Sequence, residues 1–334
     1  MFDNCAIVGA TGLVGQELLT IMNKDSGFKF KNLFLYSSSR GKKSIFEYKS
    51  RKISVEPFDE KNLPHFDIVF SSMDENLSRK YVPVFLDRGC YVIDDSSAFR
   101  LDKSSALVVY GINDELIRRE QKLYCQPNCV VIGIVYPIFL VSKVYKINRV
   151  YVSTYQSITG AGRKALEDFT TNLKNFVEDS EICLKIFKND PVLNAIPVIP
   201  DSNFTGEKLE GFTKEEEKLF LETNRILGKN IPIISTCVRI SVMRGHSATV
   251  FIELAQEASP TEIARLLENN EFIEFKNDGI YTAKDVVGKD KVYLCRLKVF
   301  KNILSFWVGW DNLRIGSAYN MWKIFTKLIE KLKH

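Results

Sequence analysis

The sequence AIVGATGLVG, residues 6–15, decides the fold of the first half of the chain. Its apolar start predicts the end of a buried strand, and Gly9, Gly12 and Gly15 predict a tight turn that opens an amphipathic helix. Glycines let the backbone approach a pyrophosphate, whose charge is bound by the free N–H groups of the helix N-terminus. The spacing GxxGxxG is a variant of GxGxxG, so a glycine-rich turn without a ligand is the alternative. Its place between a strand and a helix favours a dinucleotide-binding loop.

The end of the second predicted strand indicates which dinucleotide binds. Sites that prefer NAD usually carry Asp or Glu there to hold the ribose 2′-hydroxyl. This strand instead runs into YSSSRGKK, residues 36–43, which has hydroxyls, a guanidinium and lysines but no carboxylate. Such a set suits a 2′-phosphate, so we expect NADP as the cofactor. A solvated basic turn is the alternative.

Length and composition limit the remaining possibilities. A chain of 334 residues fits two domains better than one or three. It is 45% hydrophobic, which excludes wholesale disorder, and its 46 basic and 41 acidic residues are scattered, so we expect no nucleic-acid partner. Seven dispersed cysteines without CxxC pairs argue against a disulfide framework and a metal site. Because we find neither a membrane-spanning run nor a secretory signal, we expect a cytosolic protein with no membrane contact.

The pattern of strands and helices predicts an α/β protein with two domains. Residues 1–125 alternate short apolar strands with amphipathic helices, which predicts a doubly wound parallel sheet of the Rossmann type. Longer alternating runs follow and predict an α+β domain, whose mixed or antiparallel sheet has one packed face and one open face. An apolar helical stripe in residues 313–332 is expected to complete the first domain. The predicted domains are 1–126 with 313–334, for NADP binding, and 127–312, for catalysis and dimerisation.

Cys129 is the cysteine best placed for chemistry. It follows a Pro-Asn break and precedes an apolar helical run that continues through Leu140. A thiol at a helix N-terminus lies near the positive end of the helix dipole, which favours the thiolate that covalent catalysis needs. Position alone is equally consistent with a nucleophile and with a core residue. For the other six cysteines we expect a buried, hydrophobic role.

The sequence CVRISVMRGHS, residues 237–247, holds two further candidates. Alternation in a strand places Arg239 on the face opposite Val238 and Ile240, away from the aliphatic side chains, where its guanidinium suits a carboxylate. His246 follows a glycine turn and is one of three histidines in the chain. A single histidine is more often structural than catalytic, so both roles stay open at this point.

Five separated motifs together resemble the aspartate-β-semialdehyde dehydrogenase family, in its bacterial NADP-dependent branch. They are GATGLVG (9–15), QPNC (126–129), STYQSITGAG (153–162), CVRISVMRGHS (237–247) and DNLRIGSA (311–318), in the expected order over essentially the whole chain. The five motifs together are specific for this family, although each motif alone is weak evidence. The family usually has NPNC where this chain has QPNC, which leaves the thiol in place. The loop at residues 38–42 is a residue or two shorter than in the family, which affects the contacts to the 2′-phosphate.

The resemblance implies which residues perform the reaction. Cys129 corresponds to the nucleophile that forms an acyl-enzyme thioester, His246 to the acid–base catalyst, and Gln156 to the residue that orients substrate and thioester. The implied cofactor contacts are Gly9, Thr11, Gly12, Leu13, Val14, Ser37, Ser38, Ser39, Arg40, Thr159, Gly160 and Asn312.

The resemblance also implies how the substrate is held. Arg239 corresponds to the ligand of the substrate's α-carboxylate and Glu215 to the ligand of its ammonium group. Lys218 and Arg100 correspond to the ligands of the phosphate. Because residues 215–217 are all glutamates, the register of Glu215 and Lys218 is uncertain by one.

The implied function is NADPH-dependent reductive dephosphorylation of L-4-aspartyl phosphate to L-aspartate 4-semialdehyde and phosphate. It would be performed reversibly, by a cytosolic homodimer, in the biosynthesis of lysine, threonine and methionine. A related acyl-phosphate reductase of the N-acetylglutamyl phosphate type shares the cysteine chemistry and is the alternative enzyme. A cofactor-binding regulatory or scaffold protein that has lost catalysis is the alternative of another class.

Overall fold

The computed structural model describes residues 2–37, 44–200 and 209–333. The chain forms two compact units. The N-terminal unit comprises Met1–Asn128 together with Ser317–His334, and the central unit comprises Cys129–Gly316. Each unit contains its own β-sheet with helices, so the predicted α/β class is confirmed.

The described strands and helices follow one another as predicted, with a few additions. The strands are β1 (Asn4–Val8), β2 (Asn32–Ser37), β3 (Ile45–Tyr48), β4 (Arg51–Pro57), β5 (Ile68–Ser71), β6 (Tyr91–Asp94), β7 (Ala106–Leu107), β8 (Leu123–Cys125), β9 (Ile147–Gln156), β10 (Ala195–Ile196), β11 (Ile233–Ile240), β12 (His246–Leu254), β13 (Ile273–Phe275), β14 (Val292–Phe300) and β15 (Ile303–Trp310). The α-helices are α1 (Leu13–Lys24), α2 (Glu75–Asp87), α3 (Cys129–Val144), α4 (Arg163–Val177), α5 (Lys214–Leu227), α6 (Pro260–Glu268) and α7 (Tyr319–Lys333).

The sheet of the N-terminal unit is doubly wound. Its strand order is β3-β4-β2-β1-β5-β6-β8-β7, and every neighbouring pair is parallel except β3 and β4. The chain passes from β1 to β2 on one side of β1, and later continues with β5 on its other side. In such sheets a ligand binds outside the carboxyl ends of the strands, where the strand order reverses. Here that point lies at the end of β1, where the glycine-rich turn begins.

Two strands on one side of this sheet were not predicted, and the strand at its opposite edge is short. Strands β3 and β4 were not predicted because most of their side chains are exposed, so they lack the apolar run of a buried strand. Strand β7, at that opposite edge, ends at Leu107. Beyond it the Val109 N–H donates to the Asn113 side-chain oxygen at 2.9 Å, which takes this amide out of a strand ladder.

Helix α7 completes the core of the N-terminal unit. The side chains of Phe325 and Trp322 are buried among the rings of Phe28, Phe30 and Phe70, with ring centroids 5.0 to 6.4 Å apart. The predicted apolar stripe of the C-terminal segment is therefore confirmed as a core element. Edge-to-face and tilted ring pairs at these separations add to the stabilisation from buried area.

We expect Phe325→Ala to lower the free energy of unfolding of the N-terminal unit by about 3–5 kcal/mol, because it removes the ring at the centre of this cluster. Hydrogen exchange of the β1 amides measures the loss as a fall in their opening free energy. Lys331→Ala on the exposed side of the same helix is the control, with a change within about 0.5 kcal/mol. A loss below about 1 kcal/mol in Phe325→Ala would contradict the core role of α7.

The central unit contains a mixed sheet with one covered face and one open face, as predicted. Its strand order is β10-β11-β9-β12-β15-β14-β13. The pairs β11–β9 and β13–β14 are parallel, and the other pairs are antiparallel. Strands β9, β11 and β12 alternate between buried and more exposed residues along most of their length. Strand β10 lies in the connection between α4 and α5, of which residues 201–208 fall outside the described ones.

Helix α3 packs on the covered face of this sheet. It contacts β9, β12, β15, α5 and α6, and eleven of its sixteen residues are buried. A helix that is apolar on every side is stable only in a core, so its position is fixed by packing on all sides. Among the described residues, no helix combines the length and the apolar character that a membrane span requires.

Candidate active site

The ends of four strands place three polar side chains and one indole in one row on the covered face of the central sheet. Arg239 of β11 is the register partner of Gln156 of β9. His246 begins β12 and pairs with Trp310 of β15, while the next residue of β12, Ser247, pairs with Tyr155 of β9. The row therefore runs Arg239, Gln156, His246, Trp310 across four neighbouring strands, and all four side chains are buried.

Cys129 is the first residue of α3, and its thiol faces this row. Its Sγ lies 3.4 Å from Nε2 of His246. The indole N–H of Trp310 donates to the carbonyl oxygen of Cys129 at 2.8 Å, which ties the start of the helix to β15. A thiol that is partly accessible, at a helix N-terminus and beside an imidazole is suited to nucleophilic catalysis.

The other cysteines are mostly core residues, as expected. Five of them are buried: Cys5, Cys90, Cys125, Cys237 and Cys295. Burial raises the pKa of the thiols of Cys5, Cys90 and Cys237, which keeps them protonated. The expectation is wrong for Cys183, which is exposed.

His246 is held from the side opposite the thiol. The backbone N–H of Ser157 donates to its Nδ1 at 3.0 Å, and the Ser157 hydroxyl lies 3.1 Å from the same nitrogen. The ring is fully buried, and the indole of Trp310 meets it at right angles with centroids 5.8 Å apart. Burial and, next, the charge of Arg239 hold the pKa of His246 well below its usual value. The imidazole is therefore neutral at physiological pH.

Arg239 lies on the face predicted by alternation, opposite Val238 and Ile240. That face is the covered one, since Cys237 and Arg239 are buried while Val238 and Ile240 are half-exposed. Its Nη1 donates to the Ser157 carbonyl oxygen at 2.5 Å. The strand thus presents its arginine to the helix-covered side and its aliphatic residues to the open side. A buried guanidinium next to the thiol–imidazole pair suits an anionic substrate group.

Gly160 leaves the space that this arrangement needs. A Cβ on Gly160 would lie 2.9 Å from Nη1 of Arg239 and 3.1 Å from Cε1 of His246. Both distances are shorter than ordinary van der Waals contact. A larger residue would displace the guanidinium or the imidazole, so glycine is required here for packing.

Asn312 and Thr159 belong to one hydrogen-bond network with Ser157. The side-chain oxygen of Asn312 accepts from the Gly245 N–H at 3.1 Å and from the Ser157 hydroxyl at 3.2 Å. The Asn312 NH₂ donates to the Thr159 hydroxyl at 3.1 Å. Through Gly245, these bonds fix the turn that carries His246.

An ion pair that the sequence analysis did not identify holds the same turn. Arg244 donates to both carboxylate oxygens of Asp311, from Nε at 2.9 Å and from Nη2 at 2.7 Å, and Asp311 is fully buried. Gly245 has a φ of +93°, and a Cβ there would lie 2.3 Å from the Ala283 carbonyl oxygen. Arg244 and Asp311 both lie in motifs quoted above, but their pairing needs the three-dimensional fold.

The three glutamates at the start of α5 are all buried, and each has a different partner. Glu216 forms a capping box with Thr213 and also accepts from the Cys237 N–H at 2.9 Å. Glu217 accepts from the Leu209 N–H at 2.9 Å. Both carboxylates are therefore used for structure. Glu215 is also buried, and its Oε2 lies 4.0 Å from Nζ of Lys218. The two residues of the predicted register are thus neighbours, and their roles toward substrate stay predictions.

The glycine-rich turn of the N-terminal unit has the geometry of a dinucleotide-binding loop. Gly9 has a φ of +92°, and a Cβ there would lie 2.3 Å from the Ser72 carbonyl oxygen. A Cβ on Gly15 would lie 2.5 Å from the Gly9 carbonyl oxygen, so glycine lets α1 pack against the turn. Gly12 is the N-cap of α1, and no side chain caps the first N–H groups of this helix. These N–H groups can therefore bind an anion such as a pyrophosphate.

A cavity of about 370 Å³ adjoins this turn. Four of the predicted cofactor residues line it: Gly9, Thr11, Gly12 and Ser37. Leu13 and Val14 form the first turn of α1, and Val14 packs on the hydrophobic core. Ser38, Ser39 and Arg40 lie outside the described residues. The opposite wall of the cavity was missed by sequence analysis and comprises Phe58, Ser72, Met73, Asp74, Leu77 and Tyr81.

Arg100 and Gln126 both form hydrogen bonds within the N-terminal unit. Arg100 is buried, and its Nη2 donates to the Asp95 carbonyl oxygen at 2.7 Å. Gln126, which stands where the family usually has Asn, accepts through Oε1 from the side chain of Asn320 at 2.6 Å. The longer side chain is thus used to bind the C-terminal segment.

We expect Gly9→Ala to weaken binding of a reduced nicotinamide dinucleotide, with NADPH as the probe, about tenfold, which corresponds to about 1.4 kcal/mol, because the added methyl group displaces the turn from Ser72. Titration of NADPH fluorescence measures this effect. Gly89→Ala is the matched control, since Gly89 has a φ of +82° but no atom within 4 Å of its Cβ position. Equal NADPH affinity in the wild type and Gly9→Ala would contradict the assignment of the loop.

Comparison with known proteins agrees with both units. The family model for the semialdehyde dehydrogenase NAD binding domain matches residues 4–120, and that for the semialdehyde dehydrogenase dimerisation domain matches residues 139–315. Aspartate-semialdehyde dehydrogenase from Aquifex aeolicus is 34% identical over 98% of each chain, and that from Bacillus subtilis is 31% identical over 97% of this chain and 96% of its own. The solved structure of aspartate semialdehyde dehydrogenase II from Vibrio cholerae, complexed with ASA, has a TM-score of 0.91 at 29% identity over 99% of both chains. This chain therefore belongs to the aspartate-semialdehyde dehydrogenase family.

Proposed function

We propose that the protein catalyses the reversible, NADPH-dependent reductive dephosphorylation of L-4-aspartyl phosphate to L-aspartate 4-semialdehyde and phosphate. The observation that carries this proposal is the contact of 3.4 Å between Cys129 Sγ and His246 Nε2, with Arg239 in the same row of strand ends. Family membership agrees with it, as do the chemical types of the residues around the thiol.

In the proposed mechanism, the Cys129 thiolate attacks the acyl carbon of the acyl phosphate. The bond from carbon to the phosphate oxygen breaks, phosphate leaves, and a thioester remains on the enzyme. When bound, the nicotinamide cofactor supplies the hydride that reduces this thioester. Cleavage of the C–S bond then releases the aldehyde and restores the thiolate. We assign the acid–base role to His246 and the orientation of the acyl group to Gln156.

The substrate carries several charges, and we propose a separate group for each. Arg239 binds the α-carboxylate, since its guanidinium is buried and already close to the thiol–imidazole pair. Glu215 binds the ammonium group, because the family resemblance selects it and its buried carboxylate lies 4.0 Å from Nζ of Lys218, the second residue of the same motif. Lys218, with a side chain that is one-third exposed, binds phosphate. The phosphate-binding role of Arg100 stays a prediction from the family resemblance.

We propose that the nicotinamide cofactor is NADP. The glycine turn suits the pyrophosphate of a dinucleotide, because Gly9 allows a close backbone approach and the N-terminus of α1 follows the turn directly. Strand β2 ends at Ser37 without the carboxylate that binds a 2′-hydroxyl, and Ser38, Ser39 and Arg40 follow in sequence. The cofactor contacts predicted for Leu13, Val14, Thr159, Gly160 and Asn312, and the cytosolic location, stay predictions.

Two copies of the chain are proposed to associate through the open face of the central sheet. Ile234, Tyr151 and Phe251 form one row across β11, β9 and β12 on that face, and they are 53%, 38% and 43% exposed. Next to this row, the rings of Tyr155 and Trp307 stack with centroids 5.3 Å apart. A contiguous apolar patch on a sheet is typical of a protein–protein interface. A second copy of this chain is its proposed occupant, since the unit matches a family model described as a dimerisation domain.

Cys129→Ala is expected to lower phosphate-dependent formation of NADPH from aspartate semialdehyde by about a thousandfold or more, since it removes the nucleophile. The assay follows NADPH absorbance with and without phosphate. Cys183→Ala is the control, because Cys183 is the exposed cysteine and should be dispensable. Activity of Cys129→Ala near that of the control would refute covalent catalysis by this thiol.

Phe251→Asp is expected to shift the protein from dimer to monomer, because it places a charge in the centre of the apolar patch. Light scattering after size-exclusion chromatography gives the mass. Ile280→Asp introduces the same charge at a side chain that is 81% exposed and lies outside the sheet, so it should remain a dimer. A dimer of unchanged stability in Phe251→Asp would mean that the copies associate through another surface.

A further inference from the structure

The dinucleotide cavity of the N-terminal unit contains a carboxylate that the end of β2 lacks. Asp74 lines the cavity together with Gly12 and Ser37, so it borders the same space as the glycine turn and the last residue of β2. Of the described residues that line this cavity, Asp74 carries the one charged side chain. The described wall therefore bears a negative charge, although the proposed ligand is itself an anion.

The strand order explains why these residues meet. In the sheet, β1 lies between β2 and β5, and all three strands are parallel. Their carboxyl ends therefore lie side by side at the place where such sheets bind a ligand. The end of β2 contributes Ser37, the turn after β1 contributes Gly12, and the connection from β5 to α2 contributes Asp74. A dinucleotide bound over the glycine turn thus has Ser37 on one side and Asp74 on the other.

The two helices that begin at this cavity differ in their N-termini. No side chain caps the first N–H groups of α1, so they can bind an anion. At α2, Oδ1 of Asp74 accepts from the Leu77 N–H at 3.0 Å, so a carboxylate already occupies that helix end. A phosphate is therefore attracted to α1 and repelled from α2 by the charge of Asp74. We expect the pyrophosphate at α1 and an uncharged, polar part of the ligand near α2.

The second carboxylate oxygen of Asp74 is available to such a polar group. None of the described residues donates to Oδ2, and the side chain is exposed. An ionised carboxylate accepts hydrogen bonds and has none to donate. It suits a ribose with free hydroxyl groups and repels a ribose that carries a 2′-phosphate. A carboxylate at the end of β2 performs the same discrimination in sites that prefer NAD.

The apolar part of the cavity agrees with an adenosine at this place. Phe58, Leu77 and Tyr81 line it, and the rings of Phe58 and Tyr81 meet edge to face with centroids 4.8 Å apart. The Phe58 N–H donates to the Ser37 carbonyl oxygen at 2.9 Å, which ties this ring to the end of β2. Apolar and aromatic side chains suit the faces of a purine base. The base attached to the ribose thus has an apolar surface in the same cavity as Asp74.

We propose that Asp74 is a specificity-determining residue of the cofactor site, whose carboxylate binds the adenosine ribose and lets NAD bind alongside NADP. This inference rests on the proposed cofactor site and narrows the preference for NADP. The serines and the arginine that follow β2 in the sequence suit a 2′-phosphate, whereas the acid that follows β5 suits a 2′-hydroxyl. The balance between these two connections sets the ratio of the NADP and NAD affinities.

Asp74→Asn separates the charge of this residue from its role in the fold. Asparagine caps helices about as well as aspartate, so the bond to the Leu77 N–H and the start of α2 are kept. We expect NADPH to bind about fivefold more tightly, because the repulsion of the 2′-phosphate is lost. We expect NADH to bind about threefold more weakly, because the ribose hydroxyls lose a charged acceptor.

Titration of each protein with NADPH and with NADH, followed by the fluorescence of the reduced nicotinamide, measures both affinities. Glu75→Gln is the matched control, because it removes the same charge at the next position. The Glu75 carboxylate bonds to Arg79 and Ser97, and Glu75 is not among the residues that line the cavity. Its ratio of the two affinities should equal that of the wild type. Asp74→Ser, which has a second uncharged capping residue, should reproduce the change in Asp74→Asn.

The outcomes separate this inference from the cofactor site on which it rests. A wild type that binds both dinucleotides, with an NADPH to NADH affinity ratio that rises in both Asp74 variants and not in Glu75→Gln, supports the proposal. An unchanged ratio in the Asp74 variants, an equal shift in the control, or a wild type that binds NADPH alone would overturn the role of Asp74 and leave the cofactor site intact. A wild type that binds neither dinucleotide would refute the cofactor site and this inference together.

Discussion

The register of β11, β9 and β12 is the constraint on which the site depends. It places Arg239, Gln156 and His246 side by side on the covered face of the central sheet. A slip of one residue in any of these strands would move its polar side chain to the open face. The register is itself specified by burial, because the same alternation puts Val150, Val152 and the aliphatic residues of β12 under the helices. The packing of the hydrophobic core therefore also fixes the positions of the polar side chains in this row.

Helix α3 brings the thiol to this row by close packing. A Cβ on Gly133 would lie 2.1 Å from the ring of Trp310, so the helix and the indole approach as closely as a glycine allows. The indole N–H bonds to the carbonyl oxygen of Cys129, one helical turn earlier, and the indole edge meets His246. Trp310 therefore sets the position of both partners in the thiol–imidazole contact. It touches no reacting atom, yet the geometry of the pair follows from its location.

Sequence patterns predicted the parts of the protein that depend on local rules. The turn at Gly9 follows from glycine spacing between a strand and a helix, and the C-terminal stripe from helical periodicity. From residues alone, Cys129 and His246 were left between a catalytic and a structural role, because their distance depends on the packing of α3 against β12. Arg239 shows the same limit. The alternation along β11 correctly predicted that Arg239 lies on the face opposite Val238 and Ile240. Which of the two faces is covered by helices depends on the tertiary structure.

The residues that sequence reasoning missed act through distant partners. The ion pair of Arg244 with Asp311 joins residues 67 positions apart, and the hydrogen bond from Trp310 to Cys129 spans 181 positions. Strands β3 and β4 were missed for a local reason, since most of their side chains are exposed and they lack the apolar pattern of the buried strands. Nothing in the local sequence indicates either kind of feature.

We expect the acyl carbon of the substrate to become bonded to the sulfur of Cys129 during the reaction. Mass spectrometry of the protein, after mixing with aspartate semialdehyde and NADP in buffer free of phosphate, tests this most directly. We predict one added aspartyl group per chain, located by peptide mapping to Cys129 and released when phosphate is supplied. An adduct on a different residue, or full conversion of NADP to NADPH in the presence of phosphate with no trapped adduct in its absence, would contradict the account.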